Sequence, residues 1–166
     1  IIFGVETASD ATLDQWKTGK SSTDAVGLFR LVRSHGINPN AYFILGLPGE
    51  SREDVLRTID FAIELDPALA SFALPSPDFG TRLREIAIER RILCDDLSNT
   101  DRSCEGASLN DELSSEELDE LQRLAMRRFY LRPGFAWSCV RSLRSFTQLR
   151  HYASEVVSMF NRWRNP

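Results

Sequence analysis

Three short apolar runs set the pattern of this chain: Ile1 to Val5, Tyr42 to Leu45, and Ala70 to Leu74. Each is about a strand long, carries no charge, and stops at Glu6, at Gly46 or at Pro75. Runs of this kind, bounded by Gly and Pro, predict strands buried on both faces. Period-two alternation in the first run puts Ile2, Gly4 and Glu6 on one face and Ile1, Phe3 and Val5 on the other.

Between the runs the periodicity changes to that of helices. A short patch carries Leu13 and Trp16. A longer helix capped by Ser22 or Thr23 presents Val26, Leu28, Phe29, Leu31 and Val32, and ends at His35-Gly36. Ser51 with Asp54 forms a variant of the capping box, predicting a helix from Arg52 to Leu65 with Val55, Ile59, Phe61, Ala62 and Leu65 buried. Thr81 can cap a helix from Arg82 to Arg91. Residues 93–113 are polar and without a clean period, which reads as a long loop. Ser114 and Glu117 make a capping box for a last strong helix that buries Leu118, Leu121, Leu124 and Ala125. It runs on to Leu131, where Arg132-Pro133-Gly134 interrupts it.

Strand, turn and helix repeated three times predict an α/β fold with parallel strands. Three strands cannot close a barrel, so the sheet keeps exposed edges unless other chain completes it. The expected divisions are a βα region over residues 1–92, the polar loop over 93–113, and a basic helical region over 114–166. The chain opens directly on an apolar run, which reads as a piece cut from something longer.

Composition adds little to the fold but narrows the class. With 42% hydrophobic and 27% charged residues, 166 residues suit an ordinary globular domain. Three cysteines, Cys94, Cys104 and Cys139, are odd in number and widely spaced. They fit free thiols in a reducing, cytoplasmic setting, not a disulfide framework, and give no metal-ligand spacing. The net charge of -4 conceals a strong asymmetry: residues 121–166 carry nine Arg and only Glu155 as an acid. Such a tail fits an anionic partner, a membrane surface met peripherally or RNA, or packing on an acidic surface of the same or parent protein. The last is the plainer reading.

Candidate chemistry sits where the strands end. In parallel α/β proteins ligands bind at the C-terminal ends of strands, which here means Glu6 to Ser9, Gly46 to Glu50, and Leu74 to Gly80. Glu6 serves equally as a ligand contact or as a cap on a helix. Lys17-Thr18-Gly19-Lys20 lacks P-loop spacing. No nucleophile–base pair or acid–base carboxylate pair can be nominated, so catalytic residues stay unassigned.

The same strand ends carry a resemblance. Gly4-Val5-Glu6-Thr7-Ala8-Ser9, Lys17-Thr18-Gly19, Phe43-Ile44-Leu45-Gly46-Leu47-Pro48-Gly49-Glu50-Ser51, Asp60-Phe61-Ala62 and Pro77-Asp78-Phe79-Gly80-Thr81 together resemble the second half of a radical S-adenosylmethionine (SAM) domain. Leu113 to Leu118 and Phe129 to Pro133 resemble its cobalamin-binding branch. The resemblance implies the last three βα units of a partial, TIM-like (βα)6 barrel, followed by C-terminal helices. It implies SAM contacts by Glu6, Thr7 and Ser9, an adenine-packing role for Ile44, a clear backbone at Gly46, and a pocket lining from Leu74 and Pro75.

It further implies a parent enzyme in which an electron from a [4Fe-4S] cluster cleaves SAM, with cobalamin-dependent methyl transfer or cyclisation as the outcome. Methylthiotransferase-like and coproporphyrinogen-oxidase-like branches are alternatives, as is a non-catalytic scaffold. The family's CxxxCxxC loop is absent from this sequence, so cluster and cobalamin would belong to a missing N-terminal half as partner. By this reading the chain alone is inactive and holds part of the SAM pocket.

Overall fold

The computed structural model describes residues 1–16, 21–92 and 108–135. They fall into two compact units, Ile1–Phe129 and the segment from Tyr130 onward. Lys17 to Lys20, residues 93–107, all three cysteines and most of the basic tail lie outside the described residues.

In the first unit the order is β1 (Ile2–Glu6), α1 (Asp10–Trp16), α2 (Ser22–Ser34), β2 (Asn40–Ile44), α3 (Arg52–Leu65), β3 (Ala70–Ala73), α4 (Arg82–Glu89) and α5 (Ser115–Tyr130, its last residue in the second unit). The strands form one parallel sheet in the order β1-β2-β3. The α/β class expected from the periodicity is therefore present, as a three-stranded sheet with helices.

The register shows where the core lies. Phe3 pairs with Ala41, Ala41 with Ala70, and Phe43 with Phe72, so these residues share one face. Phe29 of α2 meets Phe3 at 5.7 Å between ring centroids, Phe43 stacks on Phe72 at 5.4 Å, and Phe129 of α5 meets Phe72 edge-on at 6.0 Å. Helices thus cover this face.

The opposite face carries Ile2, Gly4, Tyr42, Ile44, Ser71 and Ala73, and none of them is buried. The expectation of strands buried on both faces is corrected accordingly. Ile1 and Ile2 are 65% and 69% exposed at the free edge of β1. The other edge differs: the Gln122 amide of α5 donates to Phe72 O at 2.8 Å, using one acceptor of β3.

Local signals placed the helix ends well. The Ser51 hydroxyl accepts from Asp54 N at 3.2 Å, and the Asp54 carboxylate accepts from Ser51 N at 3.0 Å. The same box opens α2 on Ser21 with Asp24, one residue before Ser22 and two before Thr23. At its other end α3 stops on Asp66, whose φ is 50°, and Arg33 of α2 donates to the carbonyls of Leu65 and Asp66. Ser51→Ala is expected to cost about 1 kcal/mol, the usual loss of an N-cap, read as a lower denaturant midpoint at unchanged slope.

Two buried faces differ from the periodic reading. In α2 only Phe29 is buried, and Leu28 and Leu31 are exposed. In α3 Phe61 is only half-buried, and Thr58 is buried in addition to Val55, Ile59, Ala62 and Leu65, joined to Thr7 in a polar network beneath the helix. In the second unit Phe135 N donates to Arg132 O at 3.1 Å, and the Tyr130 and Phe135 rings meet edge-on at 4.9 Å.

Candidate functional site at the strand ends

The loop after β2 is built around Glu50. Gly46 and Gly49 take φ of 82° and 89°, which lets Leu47 and Pro48 turn the chain back within five residues. The turn brings the Glu50 carboxylate under the loop, where the residue is 1% exposed. Its Oε2 accepts from Gly46 N and Leu47 N, both at 3.0 Å, and its Oε1 accepts from the Thr7 hydroxyl at 2.6 Å. Burial pushes the Glu50 carboxyl above its ordinary range, and these three donors oppose that shift without cancelling it.

Thr7 extends the network from β1 to α3. Its hydroxyl donates to Glu50, accepts from Ser9 N at 3.1 Å, and lies 3.0 Å from the Thr58 hydroxyl, which in turn accepts from Ala8 N. With one proton given and two contacts received, this hydroxyl is saturated. The buried network therefore ties the ends of β1 and β2 together beneath the sheet's C-terminal rim.

Asn110 clamps the same loop from the other side. Its amide donates to Leu47 O at 2.9 Å and Glu50 O at 2.8 Å, and its oxygen accepts from Glu112 N and Leu113 N. The described end of the polar 93–113 stretch is thus an anchored turn. Asn110→Ala is expected to cost about 2–3 kcal/mol, since two buried carbonyls and two N–H groups lose their partners. The check is thermal unfolding, with Asn110→Asp as a companion that keeps only the acceptor half.

Above this frame a cavity of about 370 Å³ opens at the C-terminal ends of β1 and β2. Glu6 and Thr7 line it from the end of β1 and the loop after it, Ile44 and Leu47 from the end of β2 and its loop, Leu13 and Trp16 from α1, and Thr81 and Arg82 from the cap and first residue of α4. Glu6 sits at φ 71°, in the left-handed region that a non-glycine residue enters at a cost of about 1–3 kcal/mol. The register slips beside it, Gly4 pairing with Tyr42 but Glu6 with Phe43, so Val5 is an inserted bulge. The alternation that put Ile2, Gly4 and Glu6 on one face is broken there.

The sequence-predicted residues thus separate. Glu6, Thr7 and Ile44 line the cavity; Ser9, Gly46, Leu74 and Pro75 are not in its described lining. The Ser9 hydroxyl accepts from Thr12 N at 3.3 Å, opening α1. Gly46 was expected to keep the backbone clear for a ligand, but a Cβ there would stand 2.2 Å from Leu118 Cδ2 of α5. Its space is taken by a helix. β3 ends at Ala73, and Leu74 and Pro75 follow it half-buried. Sequence reading missed Glu50, Thr58 and Asn110 as organising residues; Glu50 stood inside the quoted loop, and only its depth of burial was hidden.

Among the described residues no three His, Cys, Asp or Glu side chains gather as a metal site, and no helix is long and apolar enough to cross a membrane. The fold and site together define an α/β domain with a ligand-sized cavity at its strand ends. Its relatives are group-transfer enzymes by name. Over 133 residues, 80% of the chain, it is 32% identical to an uncharacterized methyltransferase of Pyrococcus horikoshii, of which it covers 29%. Over 79 residues, 46% of the chain, it is 32% identical to a protein of Methanocaldococcus jannaschii named as a methylthiotransferase, of which it covers 18%. The chain therefore spans under a third of the curated relatives it matches. No family model matches it.

Proposed function

We propose that the chain forms one wall of an S-adenosylmethionine pocket in a radical SAM methyl- or methylthiotransferase. The observation that carries the reading is the cavity beside Ile44, at the C-terminal ends of parallel strands, built on a loop that Glu50 holds rigid. The similarity to proteins named for methyl and methylthio transfer supports it, and so does the sheet face on which no residue is buried. A parallel sheet is normally covered on both sides, so the face carrying Tyr42, Ile44, Ser71 and Ala73 suits a barrel interior completed by further strands added at β1.

On this reading Ile44 and Leu47 supply an apolar surface for the adenine ring, and Glu6 accepts hydrogen bonds from the ribose or the methionine end. Thr7 acts by fixing Glu50, not by touching the ligand. The spacing of Cys94, Cys104 and Cys139 does not fit a cluster-binding loop, so a [4Fe-4S] cluster and any cobalamin would be held by other parts of the parent protein. The chain's own share is to bind and orient SAM and to exclude water.

The test is calorimetric titration of the purified chain with SAM, before and after reconstitution with iron and sulfide. SAM should bind, Ile44→Asp should abolish the heat, and no 5′-deoxyadenosine should form. Release of 5′-deoxyadenosine would overturn the proposed division of labour; absence of any SAM heat would overturn the pocket.

A further inference from the structure

The cavity has a positive corner that the SAM reading does not use. Arg82 is the first residue of α4, is exposed, and makes no ion pair among the described residues. A cation in the first turn opposes the helix dipole, so the position of Arg82 is not explained by the charge preference of α4. Its guanidinium instead lies 5.8 Å from the centre of the Trp16 ring, within cation–π range, and both side chains line the cavity. The Trp16 indole N–H is buried and has no acceptor among the described residues. A buried donor without a partner needs an explanation, and a ligand entering the cavity supplies one.

The same lining includes the carboxylate of Glu6 and the apolar Leu13, Ile44 and Leu47. The cavity therefore offers a negative group, a positive group and an apolar surface. Thr81 caps α4 by accepting from Arg84 N, and the N-terminal end of the helix dipole adds positive potential on the Arg82 side.

We propose that Arg82, held on the face of Trp16, is the specificity-determining residue of this cavity and receives a compact oxyanion, a carboxylate or a phosphate, of the molecule that enters it. The proposal rests on the cavity being the ligand site. The oxyanion has two sources: the carboxylate of SAM itself or an acidic group of the second reactant. A planar, always-charged guanidinium suits either by paired hydrogen bonds, whereas Lys offers only a point charge.

The experiment follows the indole ¹H–¹⁵N resonance of Trp16, identified by its loss in Trp16→Phe, in the full 166-residue chain. Wild type, Arg82→Gln and Arg82→Lys are titrated with SAM, with decarboxylated SAM and with inorganic phosphate. Arg82→Gln should weaken an oxyanion-bearing probe by about tenfold or more, with Arg82→Lys between the two. If SAM loses affinity in Arg82→Gln and decarboxylated SAM does not, the oxyanion is the SAM carboxylate. If SAM binds both proteins alike and phosphate shifts Trp16 only when Arg82 is present, it belongs to the second reactant. Phosphate shifting Trp16 through Arg82 with no SAM binding at all keeps this proposal and removes the SAM reading. SAM binding that ignores Arg82, with Trp16 unmoved by phosphate, overturns this proposal and leaves the SAM reading standing. If no probe binds, both fall.

Discussion

Glu50→Ala is expected to unfold the strand-end loop and to cost the protein about 3–5 kcal/mol, because it leaves buried donors without their acceptor. The donors are Gly46 N, Leu47 N and the Thr7 hydroxyl, and none can turn to water beneath the loop. Glu50→Gln should be much milder, about 1–2 kcal/mol. Its single oxygen can still take the two N–H groups. Its amide can donate to Thr7, whose proton then turns to the Thr58 hydroxyl 3.0 Å away. Chemical denaturation of the three proteins separates the cases. Equal losses in Ala and Gln would show that the network does not rearrange in this way.

The same pair carries a pH test. Glu50 is raised above its ordinary 4.5, chiefly by desolvation, so the folded chain holds this proton more tightly than the unfolded chain does. Its favourable contribution is complete below about 4.5 and is lost as pH rises through the folded value. Asp54 runs the other way. The Ser51 hydroxyl holds it below 3.8, so its contribution is present above that value and disappears as pH falls through the folded one. Asp54 lies near the surface and solvent screening keeps its effect small. Wild type should therefore lose stability relative to Glu50→Gln, which has no proton to release, as pH rises above 4.5 through the folded value. A flat difference across that range would rule out the burial argument.

The elements of this fold were legible because their signals are local. Ser51 with Asp54, Thr81 ahead of Arg84, and the apolar run ending at Gly46 each announce themselves within a few residues. What sequence reading missed depends on chain brought from far away. Asn110 meets Leu47 and Glu50 from some sixty positions downstream, and nothing around it marks a clamp. Whether an apolar strand is covered on one face or two depends on the layers that surround it, and Tyr42-Phe43-Ile44 reads the same either way. Alternation failed at two points because the backbone leaves regular strand geometry there. The Val5 bulge precedes Glu6, and Glu6 and Gly46 both enter positive φ. Glu6 and Ile44 still reach a common cavity, but Gly46 turns to the helix.

That turn makes Gly46 the second sensitive position. Gly46→Ala meets two penalties at once. At φ 82° an L-residue is strained, by about 1 kcal/mol for alanine. Its Cβ would also stand 2.2 Å from Leu118 Cδ2, closer than any real contact, so α5 must shift or Leu118 must leave its rotamer. Overpacking of this kind adds about 1–3 kcal/mol. Leu118→Ala alone removes a buried side chain and should cost about 2–5 kcal/mol. The double variant separates the two effects. With Leu118 shortened, the new methyl group enters space already vacated, and only the backbone strain of Gly46→Ala remains. The double loss should therefore fall short of the summed single losses by about 1–3 kcal/mol, the steric part alone. Additive losses would mean that backbone conformation, not α5, is what requires glycine at this position. The loop would then be free of the helix, and the space beside Gly46 would again be open to a ligand.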